Sequence, residues 1–265
     1  MPHRSPWTCI LWDVDGTIVD ASDGILRRLQ IASRHYGRPE VTRAELIHWI
    51  GPPMFETFQK QFGMTPDQST EAVSYYRELG KRDGYTTGAK LYPGVGELIS
   101  ELHAAGVPQA TASSKPEVQV RALMEHFGLT DDFATIVGAS PDERTLGAKA
   151  DIVAEALRRL AAEGIDVSRP VLIGDRHHDV DGAAANGIPS IFVRWGFSWP
   201  HESEGAQAVV DDVAQLRALL LLPAADTVPA ADTVPAAETV PATQTVPATQ
   251  TVPATQTVSA TETGA

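Results

Sequence analysis

The feature that most constrains the fold of this chain is an alternation. Residues 1–222 set short apolar, β-rich runs against segments of helical periodicity. Runs at 8–14, 107–113, 134–139, 170–174 and 190–193 read as strands. Between them, "GVGELISELHAAG", "PEVQVRALMEHFG" and "KADIVAEALRRLAAEG" repeat apolar residues at spacings of three and four and stop at glycine. Strand–helix alternation of this kind predicts an α/β fold with a mainly parallel sheet and helices on both faces. Open sheets of that type place ligands at the carboxyl ends of their strands.

One segment breaks the pattern. Residues 21–89 hold helical stretches such as "DGILRRLQIASRHYG", "MFETFQKQFG" and "DQSTEAVSYYRELGKR" and no strand signal. They read as an all-helical cap domain inserted into a catalytic core formed by residues 1–20 and 90–222, with "GYTTGAK" as the return hinge. From Pro223 the composition changes to a hexad, PAADTV drifting to PATQTV, with a proline in each full copy and no aromatic residue. Such a repeat neither continues a helix nor buries a core, so 223–265 is expected to be a disordered tail.

The formal net charge is −13; the tail carries four acids and no base, which leaves −9 for residues 1–222. That balance argues against a general nucleic-acid or anionic-membrane surface. Anionic substrates stay open, because a bound cation reverses the sign locally. The single cysteine, Cys9, lies in the first apolar run, where it reads as a small core hydrophobe and can form no internal disulfide. No run approaches the ~18 apolar residues of a membrane span, and the N-terminal apolar stretch is too short for a secretory signal. The expected compartment is the cytoplasm.

Four clusters fall at or just beyond strand ends. In "ILWDVDGTIVD" a buried run ends in Asp13 and Asp15, followed by Gly16 and Thr17. Residues two apart on a strand share a face, so the two carboxylates can occupy one small volume, which suits a hard divalent cation such as Mg²⁺. In "QATASSKP", Ser113 and Ser114 precede a helix with Pro116 in its first turn; this is an ordinary N-cap signal and equally a phosphate-oxygen site. Lys149 stands near the start of a helix, where it opposes the dipole, and Lys115 competes with it for the same role. In "VLIGDRHHDVDGA", Asp175 ends a strand, with Asp179 and Asp181 on a helical start. Adjacent His177 and His178 lack the spacing of a transition-metal site.

Asp-x-Asp-Gly-Thr, a Ser after a second strand, a downstream Lys and then Gly-Asp-x-x-x-Asp together resemble the haloacid dehalogenase-like hydrolase superfamily. "IGPPMFETF", "LYPGVGELISEL" and "SSKP" are similar to its phosphoglycolate phosphatase-like group, which carries a helical cap. The resemblance implies a Rossmann-like core and a phosphoric monoester hydrolase. It makes Asp13 the nucleophile, Asp15 the general acid and base, and Lys149 the steadying cation. Ser113 and Ser114, with Gly16 and Thr17, would hold the phosphoryl group. Mg²⁺ would bind Asp13, the main-chain carbonyl of Asp15, and Asp175, with Asp179 in support.

The implied activity is Mg²⁺-dependent hydrolysis of a small phosphorylated metabolite (phosphoglycolate, a nucleotide or a sugar phosphate) through an aspartyl-phosphate. An acid at position 15 fits phosphoryl transfer better than dehalogenation, which needs no leaving-group proton. A sugar phosphomutase of the same superfamily and a non-catalytic phospho-ligand sensor are the alternatives; a sensor predicts damage in one of the four clusters, and all four are intact. A third alternative is an interaction protein that works through its tail.

Overall fold

The computed structural model describes residues 5–38 and 41–222, which belong to one unit spanning Met1–Ala224. The hexad repeat at 223–265 lies outside the described residues. In chain order the elements begin with β1 (Cys9–Trp12) and β2 (Val19–Asp20), then α1 (Ser22–His35), α2 (Arg43–Leu46), α3 (Met54–Phe62) and α4 (Pro66–Asp83). There follow β3 (Lys90–Leu91), α5 (Val95–Ala104), β4 (Gln109–Thr111), β5 (Ser113–Pro116), α6 (Glu117–His126), β6 (Gly138–Ala139) and α7 (Lys149–Ala162). The last are β7 (Pro170–Gly174), α8 (His177–Ala185), β8 (Ser190–Val193), β9 (Ala208–Val210) and α9 (Val213–Leu220).

Five strands form one parallel sheet in the order β4-β1-β7-β8-β9. Both faces are buried, so the central strands are apolar throughout rather than alternating with polar residues. Within β1 the period of two divides the side chains: Ile10 and Trp12 join the larger core with α5, α6 and α9, while Cys9 and Leu11 join a second core with α7. Cys9 is wholly buried, and burial pushes its thiol up to about 11. The indole N–H of Trp12 donates to Gln109 Oε1 at 3.1 Å, and Gln109 Nε2 donates to Ile99 O at 2.9 Å, so this polar pair is satisfied inside the core.

The four helices α1 to α4 lie between β2 and β3, which pair antiparallel, Val19 with Leu91 and Asp20 with Lys90. Their local logic is plain. Thr65 caps α4 in a reciprocal box with Gln68, with Pro66 in the first turn. In α1, Ile25, Leu26, Leu29 and Ala32 recur at helical spacing and are buried. Left-handed Gly63 stops α3.

The strands at 170–174 and 190–193 match the expected bounds, and three other features differ. The run at 8–14 pairs only over Cys9–Trp12, because the chain leaves the sheet to place its acids. The run at 107–113 divides into β4 and β5. Consequently Ser113 and Ser114 sit in a short strand paired with β6, and α6 starts only after Pro116, whose extended backbone (ψ 134°) delays the helix. The expected strand at 134–139 is reduced to Gly138–Ala139 with an isolated bridge at Thr135, as befits a sheet edge. The short strands β2, β3 and β9 carry too few residues to register as a period in the sequence.

Candidate active site

The carboxyl ends of β1 and β7, neighbours in the sheet, project Asp13 and Asp175 into one crevice. Beyond Val14 the chain doubles back: the N–H groups of Thr17, Ile18 and Val19 all donate to Val14 O, and Gly16 N donates to Val19 O at 2.9 Å. Gly16 sits at φ 94°, and a Cβ there would lie 2.2 Å from Asp175 Oδ2. Only glycine fits that turn, which brings Asp15 back to the crevice.

Lys149, the first residue of α7, reaches across this crevice. Its Nζ lies 2.6 Å from Asp13 Oδ1, 2.7 Å from Asp179 Oδ1 and 2.6 Å from Ala112 O, so its three N–H groups are fully used. Burial alone would lower its pKa, but the carboxylates of Asp13 and Asp179 outweigh burial and hold the ammonium above its ordinary range. Lys115 takes a different partner, Asp15 Oδ2 at 2.7 Å, and Asp15 Oδ1 is buried with no hydrogen-bond partner. The two candidate lysines thus serve different acids.

Asp175 accepts from Thr17 Oγ1 at 3.1 Å and from Phe197 N at 2.7 Å. Thr17 therefore spends its hydroxyl on Asp175. Asp179 accepts from Arg176 N at 3.0 Å, and a Cβ on Gly174 would strike its carboxylate at 2.2 Å, so the glycine clears the approach. Ser113 and Ser114 are buried at the start of β5, just beyond the carboxyl end of β4, and Ser113 Oγ accepts from Lys115 N at 3.3 Å.

Oxygens of Asp13, Asp175 and Asp179 all lie within 4.8 Å of one another, and all three residues are buried. Burial, then the neighbouring carboxylates Asp13 and Asp179, pushes Asp175 well above the ordinary carboxylate range. Burial likewise raises Asp13 and Asp15 against the opposing pull of Lys149 and Lys115. Ionised together, the three carboxylates against one ammonium would carry two net negative charges in a desolvated space. A divalent cation balances that charge, and an all-oxygen donor set without sulfur or imidazole suits the Mg²⁺ class. The side chain that completes this cluster is Asp179, whereas the carboxylate of Asp15 faces Lys115.

Two further pairs surround the site and carry no sequence signal. Arg176, next to Asp175, donates to Ile50 O in the helical insertion and holds Glu202 by two nitrogens, at 2.7 and 3.0 Å. Arg77 of α4 donates to Glu143 at 2.7 Å. His177 faces Glu202 at 3.0 Å, desolvation lowers His178 to about 4, and among the described residues the acidic cluster comprises Asp13, Asp175 and Asp179 without either histidine. Among the described residues no helix is long and apolar enough to cross a membrane.

With this geometry in place, the chain's relatives are informative. The model of the haloacid dehalogenase-like hydrolase family matches residues 10–193, and the chain belongs to that family. The tyrosine-protein kinase PtkA of Mycobacterium tuberculosis is 38% identical over 196 residues, covering 74% of this chain and 65% of that protein. The chain thus spans just under two thirds of the length of that relative. A 5'-nucleotidase of Pseudomonas aeruginosa is 34% identical over 213 residues, 80% of this chain and 94% of the relative. Among solved structures, a predicted phosphatase from Clostridium acetobutylicum superposes with a TM-score of 0.74 at 32% identity, covering 80% of this chain and 96% of that one. The family resemblance read from the sequence is borne out.

Proposed function

We propose that the protein is a Mg²⁺-dependent phosphatase that hydrolyses a small phosphomonoester through an aspartyl-phosphate on Asp13. The observation that carries this reading is Asp13 itself: buried at the end of β1, held by Lys149 at 2.6 Å, and grouped with Asp175 and Asp179. A carboxylate attacking a phosphate ester is a collision of like charges, and the site holds cations and a cation-sized charge deficit where that cost arises.

In the first step an Asp13 oxygen attacks phosphorus while Asp15, in its acid form, gives a proton to the departing alkoxide. In the second step Asp15 takes a proton from a water that attacks the same phosphorus, and Asp13 is released. Covalent catalysis divides one difficult displacement into two easier ones. Lys149 keeps Asp13 oriented, and Ser113 with the backbone of Ser114 holds phosphoryl oxygens, assisted by the Gly16–Thr17 turn. Asp13, Asp175 and the main-chain carbonyl of Asp15 would hold Mg²⁺, with Asp179 in support. Its chemistry is to neutralise charge on the phosphoryl oxygens. The helices at 21–89 act as a cap, and the cavity beside Asp15, lined also by Ile50, Met54 and Tyr76 of that segment, takes the leaving group. Phosphoglycolate, nucleotides and sugar phosphates define the substrate panel.

The test is phosphate release from that panel with Mg²⁺, with EDTA, and with Asp13→Asn. Release that needs Mg²⁺ and falls roughly a thousandfold or more in Asp13→Asn is expected. No release from any member by folded protein with Mg²⁺ present overturns the reading.

A further inference from the structure

Residues 140–147 form a loop that fastens itself. The carboxylate of Asp142 accepts from Ser140 Oγ at 2.5 Å, from Thr145 Oγ1 at 2.6 Å, and from the backbone N–H groups of Arg144 and Thr145. Ser140 Oγ also accepts from Leu146 N at 2.9 Å. Held in this frame, Glu143 has φ 53°, a left-handed conformation that a residue with a side chain adopts at a cost. The consequence of the strain is placement. The Glu143 side chain, 3% exposed, is driven under the helical insertion. There Oε1 accepts from Arg77 Nη2 at 2.7 Å and Oε2 accepts from Phe55 N at 3.3 Å.

Glu143 and Arg77 line the same cavity as Asp15, Ser114 and Lys115, a space of about 40 Å³. Arg77 also lines a cleft of about 780 Å³ that shares Pro116 and Gln119 with the smaller cavity. The pair therefore stands where a leaving group would run from the phosphoryl site to the open cleft. A carboxylate oxygen has two lone pairs, so each Glu143 oxygen keeps one free after these bonds. Arg77 Nε is buried with no hydrogen-bond partner. The pair is neutral in sum, and it offers spare acceptors beside a spare donor. A hydroxyl group is both donor and acceptor and matches that offer. A carboxylate on the leaving group could accept from Arg77 but has no hydrogen to give the Glu143 oxygens and stands against their charge, and an apolar leaving group would bury the spare capacity unmet.

We propose that the Glu143–Arg77 pair selects phosphomonoesters of neutral polyols, with leaving-group hydroxyls donating to Glu143 and accepting from Arg77. This rests on the phosphatase reading of the same site and narrows its panel away from phospho-carboxylic acids such as phosphoglycolate. The 780 Å³ cleft has room for the remainder of a sugar- or nucleoside-sized alcohol.

The test compares kcat/KM of the full chain with Mg²⁺ on glycerol phosphate, propyl phosphate and phosphoglycolate, with p-nitrophenyl phosphate as reference. Wild type should prefer glycerol phosphate to propyl phosphate by roughly tenfold to a hundredfold, the usual worth of hydrogen bonds to charged groups, and should turn over phosphoglycolate more slowly still. In Glu143→Gln, which retains an acceptor for Phe55 N, the preference for glycerol phosphate should shrink and phosphoglycolate should gain relative to it. Arg77→Met should also lose the preference; thermal melts establish that each variant is folded, and Glu143→Gln suffices if Arg77→Met is not. Equal rates on the three esters, or an unchanged ratio in Glu143→Gln, overturn the proposal while leaving the phosphatase reading standing. No release from p-nitrophenyl phosphate or any other ester overturns both.

Discussion

At the scale of single residues, the site is governed by charge in a desolvated space. Among the described residues, Lys149 is the one cation that touches both Asp13 and Asp179. Replacing it with Met should leave two buried carboxylates unneutralised. Loss of one partner from a buried pair costs about 3–5 kcal/mol, so urea unfolding of Lys149→Met in EDTA should show a loss of that order. A loss below about 0.5 kcal/mol, the usual size of a surface effect, would contradict the role assigned to it. The acids are legible in the sequence because carboxylates at the end of an apolar strand demand a reason, whereas the sequence leaves Lys149 and Lys115 as competitors and only the tertiary structure gives each its own acid. Glu143 and Arg77 are not legible. They are 66 positions apart, one in a polar loop and one on an ordinary helix, and only the packing of the insertion on the core brings them together.

At the scale of elements, the turn after β1 decides the geometry. Period-two alternation places Asp13 and Asp15 on one face, but the strand ends at Trp12, and it is the turn onto Val14 that returns Asp15. Gly16→Ala should therefore be damaging twice over, through φ 94° and through a Cβ 2.2 Å from Asp175. Phosphate release should fall at least tenfold, and the melting temperature should drop, as expected for a strained residue costing about 1–3 kcal/mol. Wild-type turnover in Gly16→Ala would mean that Asp15 does not depend on this turn. The long strands and helices are readable because their periods extend over several residues. The two-residue strands β2, β3 and β6 and the placement of Ser113 in β5 are set by tertiary pairing, to which a short window of sequence is blind.

At the scale of the whole molecule, the parallel sheet is a device for convergence. Neighbouring strands β1 and β7 end side by side, β4 and β5 deliver Ser113 and Lys115 beside them, and α7 and α8 send Lys149 and Asp179 in from the start of each helix. Every candidate site residue lies between Asp13 and Asp179, so removal of residues 223–265 should leave kcat/KM unchanged within about twofold. A large loss on truncation would give the repeat a part in turnover.

The proposed chemistry requires that Asp13 become phosphorylated. The most direct measurement is to quench the protein in acid during turnover of p-nitrophenyl phosphate with Mg²⁺, reduce it with borohydride, and map the product by mass spectrometry. An aspartyl-phosphate at Asp13 should appear as homoserine at that position, and Asp15→Asn, which lacks the base for the second step, should accumulate it. Steady phosphate release with no modification at Asp13, or with the modification on another residue, would rule out Asp13 as the nucleophile.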